Sequence, residues 1–183
     1  SQSSVRFVEW DACFAGPWHS EVATADVVIN LAGAPIADGR WTDARKRLLV
    51  ESRILSTRLL VDALAGRSAS LPLLISASGI GYYGPSDDRL LDEASPIGHG
   101  FLAELSAAWE AEALRAGQLG TRVVLLRTGM VLEQGGGALP KMLLPFRLFA
   151  GGPVLPGTQW VSWIHRSDLI GLIPGGGVAI TDG

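Results

Sequence analysis

The chain has very little of the chemistry from which disulfides and metal centres are built. Its 183 residues include one cysteine, Cys13, and three histidines, His19, His99 and His165, which stand far apart. A single cysteine excludes an intrachain disulfide and any cysteine-based metal cage. The histidines also lack the short ligand spacing that is typical of zinc sites. The sequence therefore predicts no metal site.

Long apolar runs and an excess of positive charge are lacking too. No uninterrupted apolar stretch comes near the about 20 residues that a membrane-spanning helix needs, and no charged-then-apolar leader opens the sequence. With 15 Lys and Arg against 18 Asp and Glu, the net charge of −3 offers no basic field for nucleic acid. A local basic cluster of Arg40, Arg45, Lys46 and Arg47 is typical of a solvated helix face. We expect a cytoplasmic protein with no nucleic-acid or membrane partner.

The residues that are present indicate a globular α/β protein. The chain is 48% hydrophobic, and 183 residues suffice for one domain with a substantial core. We expect that domain to cover residues 1–173. A tail over residues 174–183 contains too many glycines for a helix, and we expect it to be irregular.

Apolar patterning predicts strands that alternate with helices. The main predicted elements are a strand at 26–33, a helix from a Thr42 cap to about 65, a strand from 73, a helix at 101–116 and a doubly buried strand at 123–126. This β-α-β-α-β order implies a parallel sheet with crossover helices. Weaker patterns predict strands at 5–10 and 159–165, an amphipathic segment at 139–149, and a last helix that begins at or is capped by Asp168.

The segment Leu73–Gly84, LLISASGIGYYG, is the centre of the predicted sheet. Its apolar start fits a strand covered on both faces, and Ser76 and Ser78 then fall at the carboxyl end, where open α/β sheets bind ligands. The six residues from Gly79 match G-x-G-x-x-G, but Pro85 and a polar turn follow instead of a helix. We therefore interpret the glycines as a loop that lets backbone pass close to a ligand.

Several motifs in order resemble one protein family. They are VVINLAGAPIADGRW from Val27, ESR from Glu51, LISASGIGYYG from Leu74, GTRVVLLRTGMVL from Gly120, KMLLPFRL from Lys141 and WVSWIHRSDL from Trp160. Together they are similar to the extended short-chain dehydrogenase/reductases, in the atypical branch called sugar-nucleotide epimerase-like. The resemblance implies a Rossmann-type, doubly wound parallel sheet. Relative to that family, the opening strand with its phosphate-binding glycine loop and the C-terminal substrate lobe have no counterpart in this sequence, so we expect an incomplete sheet.

The resemblance also implies where a nicotinamide cofactor, NADP(H), would bind. The implied cofactor-binding residues are Leu31, Ala32, Gly33, Arg53, Ser76, Thr128 and Gly129. Structural alternatives stay open for some of them. Arg53 could be a solvated helix residue, and Ser76 could only satisfy backbone at the strand end. In the His165-x-x-Asp168 motif, Asp168 could cap the last helix while the imidazole is packed.

The superfamily's catalytic pair is missing from the sequence. Superfamily chemistry uses Tyr-x-x-x-Lys, in which the lysine assists proton transfer by the phenol. The two tyrosines here, Tyr82 and Tyr83, are followed four positions later by Ser86 and Asp87. If the chain carries out chemistry, Tyr82 or Tyr83 together with Ser78 must supply it, and we favour Tyr82 with Ser78 as the catalytic residues.

Three hypotheses for function follow. The first is an NADP(H)-dependent, epimerase-like oxidoreductase that acts on an unidentified small molecule. The second, because the catalytic pair is missing, is an NADP(H)-binding or sensing protein without turnover. The third is a cofactor half-site with no independent function. A second copy of the chain, forming a homodimer, is a further hypothetical partner.

Overall fold

The computed structural model describes residues 6–10, 14–67, 72–152 and 157–173. The chain forms two compact units, each made of two chain segments. The first comprises Ser1–Ser76 and Ala107–Val124, and the second comprises Ala77–Ser106 and Leu125–Gly183. The predicted tail at 174–183 lies outside the described residues.

Helices and strands alternate through most of the described chain. In order they are α1 (Trp18–Thr24), β1 (Val27–Asn30), α2 (Asp43–Ala65), β2 (Leu73–Gly79), a 3₁₀ helix (Ile80–Tyr83), α3 (Phe101–Gln118), β3 (Val123–Thr128), β4 (Met130–Glu133), β5 (Gly136–Gly137), α4 (Leu139–Arg147), β6 (Trp163–His165) and α5 (Arg166–Leu172). The predicted β-α-β-α-β order from β1 to β3 is confirmed. None of these helices is long and apolar enough to cross a membrane.

Strands β1, β2 and β3 form one sheet with β2 in the middle. β1 runs parallel to β2, with Val27 opposite Leu73 and Asn30 opposite Ser76. As predicted, β2 is buried on both faces over most of its length. β3 does not have the predicted double burial, since only Leu126 is fully buried in it. An edge strand has a neighbour on one side only, so its side chains are covered less than those of β2.

The core of the first unit lies between α1, α2 and this sheet. Its buried apolar residues are Trp18, Val22, Val28, Leu60, Val61, Leu64, Leu74 and Ala116. Helix α2 begins where the sequence predicts, because the Thr42 side chain accepts a hydrogen bond from the Arg45 N–H. Helix α1 was not predicted. Its seven residues follow Gly16 and Pro17, and only Trp18 and Val22 mark its buried face.

An ion-pair cluster joins α2 to α3 within the first unit. The buried Glu112 carboxylate accepts a hydrogen bond from Arg58 at 3.1 Å and another from Arg115. Arg115 also pairs with Asp62 on α2 at 2.9 Å. Burial of Glu112 opposes its ionisation, but the bonds from the two arginines outweigh burial and hold the pKa of Glu112 below its ordinary value.

The second unit contains a small mixed sheet in the order β5-β4-β6. β4 runs antiparallel to β5 and parallel to β6. The predicted strand at 159–165 is shorter than expected, because only Trp163–His165 pair with β4. Two residues of the triple glycine at 135–137, Gly136 and Gly137, form β5.

Two other expectations need correction. Residues 6–10 form no strand, and most of their side chains are exposed. A strand needs a neighbour for its N–H and C=O groups, and no ladder includes these residues in the described part of the chain. Helix α3 runs two residues beyond the predicted end at 116, to Gln118, and Gly120, with φ +91°, follows its end. Glycine tolerates that backbone conformation without strain.

Candidate cofactor and catalytic site

Asn30 organises the turn that follows β1. Its side chain is buried, and its amide nitrogen donates to Thr57 Oγ1 at 2.8 Å and to Ser76 Oγ at 3.4 Å. Its amide oxygen accepts from the Ala32 N–H at 3.2 Å. The Ala34 N–H then donates to Ser52 Oγ on α2 at 3.0 Å. These bonds fix the backbone of residues 31–34 at the carboxyl end of a parallel strand.

Thr57 connects this turn to α3. Its hydroxyl oxygen also accepts a hydrogen bond from Trp109 Nε1 at 2.9 Å. Thr57 is completely buried, and Trp109 is nearly so. One hydroxyl on α2 therefore serves two buried donors, one at the end of β1 and one on α3.

Arg53 lies behind the same turn and is only 6% exposed. Its guanidinium donates to the carbonyl oxygens of Leu49, at 3.1 Å, and Ala34, at 3.0 Å. The cation also stacks on Trp109, 5.1 Å from the ring centroid. Burial, with a smaller contribution from the nearby Arg45, lowers the pKa of Arg53 from its ordinary value. The alternative of a solvated arginine is thus wrong.

The charge on Arg53 has no acidic partner in the part of the chain that the structure describes. Its contacts are carbonyl dipoles and an aromatic face, and its charged neighbour is another arginine. A buried charge is ordinarily paired with an opposite one. The surroundings of Arg53 therefore favour an anion nearby.

Gly33 is the point where the turn and Arg53 come closest. A Cβ atom at this position would lie 2.9 Å from Arg53 Cζ, so a side chain would displace the guanidinium. Leu31 and Gly33 are exposed, and the Leu31 side chain is 59% exposed. The three sequence-predicted residues Leu31, Ala32 and Gly33 thus form a solvent-accessible turn, with small side chains at Ala32 and Gly33. The buried Arg53 guanidinium lies directly behind this turn.

The two strand-end serines both point to buried positions. Ser76 is completely buried and accepts its bond from Asn30. Ser78 is also buried and has its own interaction within the protein. The strand continues through Gly79, which is extended, with φ −155° and ψ 154°. The two serines therefore keep the same face of a regular strand.

Beyond β2, in the second unit, two tyrosines surround Arg127 of β3. The guanidinium carbon lies 3.6 Å from the Tyr82 ring centroid and 5.1 Å from that of Tyr83. Arg127 Nη1 donates to Tyr83 Oη at 2.9 Å and to the Glu93 carbonyl at 3.3 Å. The two rings meet edge to face, 5.4 Å apart. Tyr83 is buried, whereas Tyr82 is half-buried.

The G-x-G-x-x-G match has a geometry unlike that of a phosphate-binding loop. Its residues form a 3₁₀ helix, and the next α-helix begins only at Phe101. The last glycine of the match, Gly84, has φ +64° and packs against the protein's own backbone, since a Cβ there would lie 2.8 Å from His99 N. Gly98, outside the match, packs as closely, since a Cβ there would lie 1.8 Å from the Tyr83 carbonyl oxygen.

Two other predicted positions also lie in the second unit. Thr128 ends β3, and Gly129 follows it against Ser162, whose carbonyl oxygen would be 2.6 Å from a Cβ at Gly129. The expected cap by Asp168 is wrong. His165 caps α5 instead, because its Nδ1 accepts from the Ser167 N–H at 3.2 Å, and the imidazole is exposed rather than packed.

Sequence reasoning missed several residues of these clusters. They are Asn30, Thr57, Trp109 and Arg127. A usable signal existed for two of them: Asn30 is the last residue of β1, and Arg127 is the last but one of β3. Polar residues at the carboxyl ends of parallel strands are where ligands bind in such sheets.

A model of the NAD dependent epimerase/dehydratase family matches residues 2–173. The chain belongs to this family. The resemblance inferred from the motifs is thereby confirmed. Among curated members, the chain is 44% identical over 158 residues to an Arabidopsis thaliana protein described as "Epimerase family protein SDR39U1 homolog, chloroplastic", an alignment that covers 85% of this chain and 45% of the relative. It is 42% identical over 169 residues to an epimerase family protein of Staphylococcus haemolyticus, covering 91% and 54%.

Solved structures of the epimerase/dehydratase family share the fold. Human epimerase family protein SDR39U1, solved with NADPH, aligns with TM-score 0.75 and 35% identity over 88% of this chain and 58% of its own. A nucleoside-diphosphate sugar epimerase from Corynebacterium glutamicum aligns with TM-score 0.76 and 36% identity, over 96% and 35%. The predicted Rossmann-type α/β class is confirmed. The chain spans about half the length of the curated relatives that it matches.

Proposed function

We propose that this chain binds a nicotinamide dinucleotide, NADP(H) in preference to NAD(H), as part of an epimerase-like oxidoreductase. The observation that carries the proposal is the accessible turn at Leu31–Gly33 with the buried Arg53 cation behind it. A dinucleotide is anionic, and in α/β sheets it binds outside the carboxyl ends of parallel strands. When bound, it supplies or takes up a hydride.

The residues of the first unit fit the adenosine half of such a ligand. Ala32 and Gly33 carry almost no side chain, so a flat group can approach their backbone. Asn30 and Ser52 hold that backbone by its N–H groups. The Arg53 charge, uncompensated by any acidic group of the described residues, favours phosphate on the same side. Ser76 supports the strand end through Asn30.

The preference for NADP(H) has two supports. The human relative was solved with NADPH. A fixed guanidinium also matches a phosphate by charge and by its fork of donors. Other proteins with this fold, at 19% identity, were solved with NAD, so the fold alone does not decide between the two.

Isothermal titration of the 183-residue chain with NADPH and with NADH tests the binding proposal. A charge-assisted bond contributes about 1.5–3 kcal/mol, so we expect Arg53→Met to raise the Kd for NADPH about 10- to 100-fold. The matched control is Arg47→Met, which removes the same charge from an exposed position of α2. Tighter binding of NADH, or equal Kd values for the two variants, would overturn the assignment.

Turnover decides between the enzyme and its rival, a binding or sensing protein. In the second unit, Thr128 and Gly129 are the proposed residues beside the nicotinamide, and Ser78 and Tyr82 the proposed catalytic residues. A screen of carbonyl compounds and nucleotide sugars with NADPH measures cofactor oxidation. Loss of turnover in Ser78→Ala and Tyr82→Phe without loss of thermal stability supports their roles. Retained NADPH with no oxidation on any compound favours the sensing protein.

A further inference from the structure

Arg127 holds the oxygen of one tyrosine while it stacks on the ring of the other. Its Nη1 donates to Tyr83 Oη at 2.9 Å, and its guanidinium lies 3.6 Å from the Tyr82 ring centroid. A third contact, with the Glu93 carbonyl at 3.3 Å, anchors the guanidinium to the backbone. All of these groups belong to the second unit.

The direction of the Arg127–Tyr83 bond is set by chemistry. A guanidinium only donates, so the phenol oxygen accepts, and the phenol proton is left for another acceptor. Tyr83 is 7% exposed, which keeps its hydroxyl from most of the solvent that would otherwise compete for that proton. Tyr83 is thereby prepared as a hydrogen-bond donor of defined orientation.

The backbone around Tyr83 is equally constrained. The Gly98 N–H donates to the Tyr82 carbonyl at 3.0 Å, and the Gly84 N–H donates to the Gly81 carbonyl at 3.0 Å. Gly98 packs so closely on the Tyr83 carbonyl that no side chain fits there. A phenol held by its backbone, its ring and its oxygen loses little orientation freedom when it acts.

We propose that Arg127 is a positioning residue that presents the Tyr83 phenol as the proton donor of this protein, in place of the Tyr-x-x-x-Lys pair that the sequence lacks. The proposal rests on the proposed oxidoreductase function and names its acid. As a substrate oxygen becomes negative on reduction by the dinucleotide, the Tyr83 O–H bond breaks and a new O–H bond forms on that oxygen. The fixed Arg127 charge stabilises the negative charge that develops on the phenol oxygen, and water then returns the proton.

Raman spectroscopy tests the Arg127–Tyr83 bond without any substrate. The intensity ratio of the tyrosine Fermi doublet reports whether a phenol oxygen accepts or donates hydrogen bonds. Because the chain has two tyrosines, Tyr82→Phe leaves Tyr83 as the single reporter. In Tyr82→Phe we expect the ratio of an accepting phenol. We expect Arg127→Met on that background to shift the ratio towards a donor, and Arg127→Lys to restore part of it. If Tyr82→Phe itself shows the intensity ratio of a phenol that only donates, the Arg127–Tyr83 bond is refuted. This holds whatever ratio the Arg127→Met and Arg127→Lys variants show.

Kinetics test the role of the phenol with a carbonyl compound that supports NADPH oxidation in the screen described above. General acid catalysis contributes typically 10²- to 10⁴-fold, so we expect Tyr83→Phe to lower kcat by about that factor with little change in KM. Arg127→Met should lower kcat in the same direction, and Arg127→Lys should recover part of it. An undiminished kcat in Tyr83→Phe, or an Arg127→Lys variant that recovers no more kcat than Arg127→Met, would overturn the assignment.

The two measurements separate this proposal from the one on which it rests. Absence of NADPH binding and turnover, with the accepting Raman ratio present, would refute the proposed oxidoreductase and with it the catalytic role of Tyr83. NADPH binding and turnover that survive Tyr83→Phe undiminished would refute the proton donor alone.

Discussion

The substitution Thr57→Val is a sharp test of the network behind the Leu31–Gly33 turn. Valine has nearly the shape of threonine, but it cannot accept a hydrogen bond. The change leaves Trp109 Nε1, whose bond to Thr57 is 2.9 Å long, without its acceptor. Asn30 Nδ2 loses its 2.8 Å bond and keeps the longer contact with Ser76 Oγ at 3.4 Å.

The expected loss of stability follows from these two donors. A buried donor without a partner costs about 1–3 kcal/mol, which applies in full to the indole N–H. The Asn30 amide retains one partner, so its loss is nearer the about 0.5–1.5 kcal/mol of a net hydrogen bond. Together they predict a decrease of about 2–4 kcal/mol in the free energy of unfolding. For a chain of this length each kcal/mol lowers Tm by roughly 2–4 °C.

Urea unfolding, followed by far-UV circular dichroism, measures the effect. Thr57→Ser keeps the hydroxyl and is the matched control, with an expected loss of only about 1 kcal/mol for one buried methyl. Thr24→Val removes an exposed hydroxyl that bonds only to its own helix, and it should change stability by less than about 0.5 kcal/mol. If Thr57→Val costs no more than Thr57→Ser, the hydroxyl does not hold the two donors and the proposed support of the turn is refuted.

Three further changes test the packing and the electrostatics of the fold. Gly98→Ala places a Cβ 1.8 Å from the Tyr83 carbonyl oxygen and should destabilise by at least about 2 kcal/mol in urea unfolding, and an unchanged midpoint would contradict the close approach. Gly117→Ala, inside α3 with open space around it, should instead stabilise by about 0.5–1 kcal/mol. Since two arginines lower the pKa of Glu112 below its unfolded value of 4.5, its contribution is complete above that pH and is lost as pH falls through the lowered pKa. The Glu112→Gln variant should therefore be less stable than the parent at pH 7 and approach it in acid, and a constant difference would exclude the ion pairs as the cause.

The strands and long helices could be predicted because their buried positions are apolar and recur in the sequence with the period of the strand or helix. The apolar start of β2 and the Thr42 cap of α2 are local signals, and the structure places both elements where those signals do. Burial of β3 could not be judged from its own residues. It depends on how many strands lie beside it, which is a property of the sheet rather than of the segment.

The contacts of the candidate site were harder to predict, because they join residues that are distant in sequence. Asn30 reaches Thr57 across 27 positions, and Trp109 reaches the same hydroxyl across 52. No local pattern distinguishes such a threonine from one that faces solvent. The motif from Gly79 matches a dinucleotide loop in spacing alone. The turn residues after it indicated otherwise, and in the structure its last glycine, Gly84, packs against the backbone of His99.

The division of the chain into two units that are both discontinuous has a consequence during synthesis. Ser1–Ser76 must wait for Ala107–Val124 before the first unit is complete, and 124 − 76 gives 48 further residues. At about 5–20 residues per second, roughly 2–10 s pass before the second segment, which carries the Trp109 indole that Thr57 and Arg53 contact, is complete. Until Trp109 has been added, the Arg53 cation lacks its aromatic cover. Helix α2 is therefore translated before α3, and the polar network of the first unit can close only after Trp109 of α3 has been added.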